Sequence, residues 1–81
     1  MPTGWLLAPN GKWLLLFRRD PVSLNNLPIF YTEKWQASSY GTPAKFQNRR
    51  AAPLQETIET WNELLQSGWI NISNKLGGEI E

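Results

Sequence analysis

The chain of 81 residues contains no cysteine and no histidine. The first absence excludes disulfide staples. Together they exclude Cys/His zinc sites, Ser-His-Asp triads and Cys-His catalysis. Thr3, Ser23, Ser38, Ser39 and Ser73 therefore have no imidazole to activate them, and nothing marks a lysine as a base. No glycine-rich phosphate loop is present; Gly77-Gly78 lies in the polar tail. No apolar run approaches the ~18–20 residues of a membrane span. The start, MPTGWLLAPNGK, lacks the basic segment of a signal peptide, and Pro9, Asn10 and Gly11 break its apolar run. The expectation is a cytoplasmic, non-enzymatic protein without metal or cofactor. Glu56, Glu59 and Glu63 read as a solvated helix face rather than a cation site. Asp20, the single aspartate, reads as a turn residue or local ion-pair partner of Arg18 and Arg19.

What the chain has instead is tryptophan, five of them. A domain this short buries only roughly 60% of its unfolded surface, so a few large aromatics dominate its core or its interface. Net charge is +1 but uneven. Residues 1–52 hold seven Lys/Arg against two acids; residues 53–81 hold one Lys against five Glu. That is either two solvated surfaces or a basic face for an acidic partner.

The stretch Gly4 to Arg19, GWLLAPNGKWLLLFRR, reads as a β-hairpin. Pro9 disfavours a two-residue Asn-Gly turn because it lacks the ladder N–H. A three-residue loop with Pro9-Asn10 in a type I turn and Gly11 left-handed fits better. It pairs Leu7 with Trp13 and puts Trp5, Leu7, Trp13, Leu15 and Phe17 on one face, with Leu6, Ala8, Leu14 and Leu16 on the other. The two-residue alternative pairs Trp13 with Ala8 and reshuffles the faces, but both remain apolar.

Ile29 to Glu33 reads as a short strand, Gln36 to Pro43 as a loop, and Ala44 to Arg50 as a strand with Phe46 on the face opposite Arg49. The aromatic-rich segment 21–43 is the internal candidate to cover the second hairpin face. Pro53 and Glu56 signal a helix start, and Leu54, Ile58, Trp61 and Leu65 form its apolar stripe, with Leu64 beside it. Ile58, Trp61 and Leu65 are expected in the core. Gly68 supplies the stop, followed by Trp69 and a last strand over 69–73. The order β-β-(β)-β-α-β predicts an α+β domain over 1–73: a small antiparallel sheet, built from the hairpin and two or three further strands, with one amphipathic helix. Residues 74–81 are expected to be a flexible tail.

Several pieces share a spacing: Gly4-Trp5-Leu6, Gly11-Lys12-Trp13, Phe17, Asp20-Pro21, Asn48-Arg49-Arg50, Trp61, Leu64 and Gly68-Trp69. This resembles an uncharacterised family of small proteins from marine picocyanobacteria (Synechococcus, Prochlorococcus), with a G-W-L…G-(R/K)-W…F hairpin and a helix of the form A-x-x-x-W-x-x-L-x-x-x-G-W. Thr57 stands where that pattern has Ala, and the segment 22–43 matches only loosely. The resemblance implies a cyanobacterial or cyanophage cytoplasm and no particular activity.

A doubly apolar hairpin, rich in Trp and Arg and free of chemistry, points to binding. The first expectation is an accessory or regulatory protein docking on a larger protein assembly. Trp5, Trp13 and Phe17 on the hairpin, Trp35 and Tyr40 in the loop, and Arg18, Arg19, Arg49 and Arg50 at the rim would make the contacts. A nucleic-acid-binding regulator using the same arginines is the alternative, and a homodimer or larger homo-oligomer joined through the uncovered face is another.

Overall fold

The computed structural model describes residues 2–76. Four long strands come first: β1 (Gly4–Leu7), β2 (Trp13–Arg19), β3 (Ile29–Ala37) and β4 (Pro43–Pro53). The helix α1 (Leu54–Gln66), the short strand β5 (Ile70–Asn71) and a 3-10 turn (Ser73–Leu76) follow. All strands join one antiparallel sheet in the order β4-β3-β2-β1-β5. This is the expected α+β class. Residues 74–76 belong to the 3-10 turn, and the rest of the expected tail, 77–81, lies outside the described residues.

The first hairpin carries one residue more in its loop than expected. Gly11 donates its N–H to Ala8 O (2.9 Å) with φ +74°, as the anticipated turn requires. Lys12, however, leaves the ladder. Its N–H donates to Asn10 Oδ1 (2.9 Å) and its carbonyl accepts from Ala37 N–H (2.9 Å). Ala8 N–H therefore bonds to Trp13 O (2.9 Å), and Trp5 faces Leu16 and Leu7 faces Leu14. A slip of one residue exchanges every side chain of one strand between faces. Trp5, Leu7, Leu14 and Leu16 share one face; Leu6, Ala8, Trp13, Leu15 and Phe17 share the other.

The helix covers the second set. Phe17, fully buried, meets Trp61 edge-to-face at 5.0 Å. Thr57 is buried, and its hydroxyl donates to Pro53 O (2.9 Å) at the helix start. Pro53 is the N-cap rather than the first helical residue. At the other end Gly68 takes φ +97°, Trp69 N–H donates to Leu64 O (3.0 Å) and Gly68 N–H to Leu65 O (3.2 Å), the Schellman closure the Gly-Trp pair announces. Leu65, assigned to the core from the stripe, is 40% exposed, while Thr57 between Leu54 and Trp61 is fully inward.

The segment 21–43 is not a lid over the other face. Its longest element is β3, which pairs along the whole of β2 and widens the sheet. Alternation then delivers Tyr31, Glu33 and Trp35 to the face without the helix, the open face. There Trp5, Leu14, Leu16 and Ile72 form a buried cluster with Leu7, Trp35 and Ala37 packed against it. The second hairpin face is thus covered by its own large side chains, by Trp35 from the neighbouring strand, and by Ile72 from beyond β5. The β3–β4 tip also leans this way: a Cβ built on Gly41 would lie 4.0 Å from Leu7 Cδ2.

Candidate partner-binding face

The open face has two adjoining rows. In the first, aromatic rings meet edge-on: Trp5 and Trp35 with centroids 6.2 Å apart, then Trp35 and Phe46 at 5.4 Å. In the second, the guanidinium groups of Arg18 and Arg49 lie over the Tyr31 ring, at 4.9 and 4.8 Å from its centroid.

Cross-strand register explains both. Trp35 stands opposite Leu14 on β2 and Phe46 on β4; Tyr31 stands opposite Arg18 and Ala51. Ala51 leaves room, so Arg49 reaches Tyr31 diagonally from its place opposite Glu33. Glu33 ties the rows together. One carboxylate oxygen accepts from Arg18 Nη2 (3.0 Å) and Nε (3.3 Å) and stands 3.7 Å from Arg49 Nη1. The other oxygen accepts from Trp35 Nε1 (3.2 Å). The Tyr31 hydroxyl donates to Asp20 Oδ2 (3.3 Å), whose partner oxygen accepts from Val22 N–H (3.1 Å). Asp20 is therefore the turn residue the sequence suggests, anchored to Tyr31 rather than to an arginine.

Phe46 and Arg49 share this face because β4 is irregular. Trp35 pairs with Phe46 and Lys34 with Asn48, so Gln47 is an extra residue and a β-bulge. The regular alternation assumed from sequence had put Phe46 and Arg49 on opposite faces.

The nine residues expected at the interface separate. Trp5, Arg18, Trp35 and Arg49 share the open face, with Trp5 buried against Trp35. Phe17 is in the core under the helix, so it is no surface contact. Trp13 is on the helix face, half-buried, with Lys34 Nζ 4.3 Å from its ring centroid. Arg19 points to the helix face and braces the β2–β3 connection through Ser23 O, Leu24 O (both 3.4 Å) and Asn25 Oδ1 (3.2 Å). Arg50 also lies there, paired with Glu56 at 3.1 Å. Tyr40 projects from the β3–β4 tip, 91% exposed. The face adds Tyr31, Glu33 and Phe46, which the sequence reading passed over. The period-two spacing of Tyr31, Glu33 and Trp35 is the signal that would have found two of them.

Among the described residues no group of three or more potential metal-ligating side chains forms, and no helix is long and apolar enough to cross a membrane. The fold and face define a small α+β domain whose sheet carries a helix on one side and an arginine–aromatic surface on the other. The chain belongs to the family described as "Protein of unknown function (DUF1651)", whose model matches residues 3–76. No curated protein and no solved structure matches it.

Proposed function

We propose that this protein is a cytoplasmic accessory protein of picocyanobacteria that binds a protein assembly through the open face of its sheet and catalyses no reaction. One observation carries the reading: Tyr31, Trp35 and Phe46 lie together and partly solvent-exposed on the face without the helix, flanked by Arg18 and Arg49. Aromatic residues and arginine are the side chains enriched in interface cores and hot spots. Here Glu33 already holds Arg18 and Trp35 and Asp20 holds Tyr31, so little of their side-chain entropy remains to be lost on docking.

A nucleic-acid surface is the weaker reading. It calls for cations aligned along one face, but Arg19 and Arg50 turn to the opposite side and Arg50 already pairs with Glu56.

The test is affinity capture from a picocyanobacterial lysate, with and without nuclease, at low and high salt. A phosphate binder loses affinity by about one log–log unit of slope per phosphate contact. The proposal expects a defined protein set that survives both treatments. Recovery that vanishes with nuclease moves the function to nucleic acid, and a bait that captures only itself makes it a homo-oligomer.

A further inference from the structure

β4 is the last strand of the sheet, and nothing pairs with its outer edge among the described residues. Its side chains are almost all exposed. It carries Lys45, Arg49 and Arg50 and no acidic residue. From Asn48 to Pro53 its register with β3 is unbroken, so the outer edge there is regular. Because Pro53 has no N–H, residues 48–52 form the usable edge, about 14 Å long with alternate N–H and C=O groups facing outward. The opposite edge, β5, is only two residues long and makes no comparable template.

The two sides of this edge differ in a way that fits an added strand. On the helix side a groove of about 210 Å³ lies between the helix and the sheet, lined by Leu15 of β2, Lys34 of β3, Asn48 and Arg50 of β4, and Thr57 and Leu64 of the helix, and it reaches β4 from within. On the open side stand Phe46, 47% exposed, and Arg49. A strand laid along β4 would send alternate side chains to these two sides. Each side presents cations. Lys45 makes no ion pair among the described residues, Arg49 is only loosely held by Glu33 at 3.7 Å, and Arg50 pairs with Glu56 at 3.1 Å in a contact that is more than half exposed on both sides and so weakly held.

We infer that β4 receives an extended acidic segment of the partner protein as a sixth strand. The inference rests on the reading that the partner is a protein, and supplies its local chemistry. A second copy of this chain is the wrong occupant, because antiparallel pairing of two β4 edges sets three cations against three while neither strand carries an acid, Glu33 and Glu56 reaching them only from β3 and α1.

The probe is a capped peptide of about eight residues in which glutamate alternates with valine and threonine. Its controls are the lysine-for-glutamate version and one N-methylated at alternate residues, which blocks strand pairing along one edge. The glutamate peptide should bind and slow amide exchange over residues 48–52. Lysine replacement, the N-methylated backbone, the single variant K45E and the double variant R49E/R50E should each weaken binding by about tenfold or more. Circular dichroism verifies that both variants fold, and K45E breaks no ion pair among the described residues should the double variant fail. Equal binding of both charge types, indifference to N-methylation, no binding, protection elsewhere than β4, or a dimer paired through β4 would each overturn the inference. If lysate capture through the open face persists while the peptide fails, only this inference falls; if both fail, so does the function proposed above.

Discussion

Glu33 is the residue on which the open face turns. It is a carboxylate only 8% exposed in a small domain, and it persists there because Arg18 and the Trp35 indole donate to it and the Arg49 guanidinium stands 3.7 Å away. Removing one member of a buried charged network leaves the others desolvated and unpaired. Glu33→Ala should therefore destabilise by about 2 kcal/mol, below the buried-pair range because the Arg18 side chain is a quarter exposed. The Arg50–Glu56 pair is the contrast. Both side chains are more than half exposed, so Arg50→Ala should change stability by less than about 1 kcal/mol. Urea denaturation of the two variants beside the parent checks both values. Equal midpoints for Glu33→Ala and the parent would mean that the network does not hold the face together.

At the scale of elements, two joints decide the architecture. The first ties β1 to the chain's last described turn. Ser73 Oγ accepts Trp5 N–H (2.9 Å) and donates to Asn71 Oδ1 (2.8 Å), and Gly4 makes room for it. Gly4 has φ +123°, and any Cβ there would overlap Ser73 Oγ. Gly4→Ala should cost about 1–3 kcal/mol and release the 3-10 turn, seen as faster amide exchange at Trp5 and Ile72. Unchanged exchange at both would show that the joint is not where the strain falls. The second joint is the bulge at Gln47, which brings Phe46 to the same side as Arg49.

These joints also mark how far the sequence could be read. Element order, the Gly11 turn, the Gly68 helix stop and the α+β class follow from local residue chemistry, and all are present. The preferred hairpin register did not follow, and the Ala8–Trp13 pairing of the alternative is present instead, because Lys12 is drawn out of the ladder by Asn10 and Ala37, the latter far along the chain. β3 was cut short at Glu33 because Gln36 to Pro43 looks like a loop until β4 is there to pair with it. The candidate site was legible in residue type, with Trp and Arg, and in four of the residues that share the open face. Its assembly depended on β3 lying between β2 and β4 and on the bulge, neither of which has a local signature.

Over the whole molecule, the charge division seen along the sequence becomes a division between layers. The β-strands carry most of the cations and the helix carries Glu56, Glu59 and Glu63, with Arg50–Glu56 joining the two. The core is thin and centred on few residues. Phe17→Ala should remove about 3–5 kcal/mol, enough to unfold a domain of this size, so its loss of binding would say nothing about the surface. Phe46→Ala is the informative change, since its ring is half exposed at the sheet edge and the buried cluster lies beneath Trp35.

The central claim is that the open face is the binding surface. The most direct test compares capture by the parent, by Phe46→Ala and by the helix-face control Glu63→Ala, all verified as folded by circular dichroism. The account predicts one nuclease-resistant protein set retained by the parent and by Glu63→Ala and lost with Phe46→Ala. The same set retained by Phe46→Ala, or lost with Glu63→Ala instead, would contradict it.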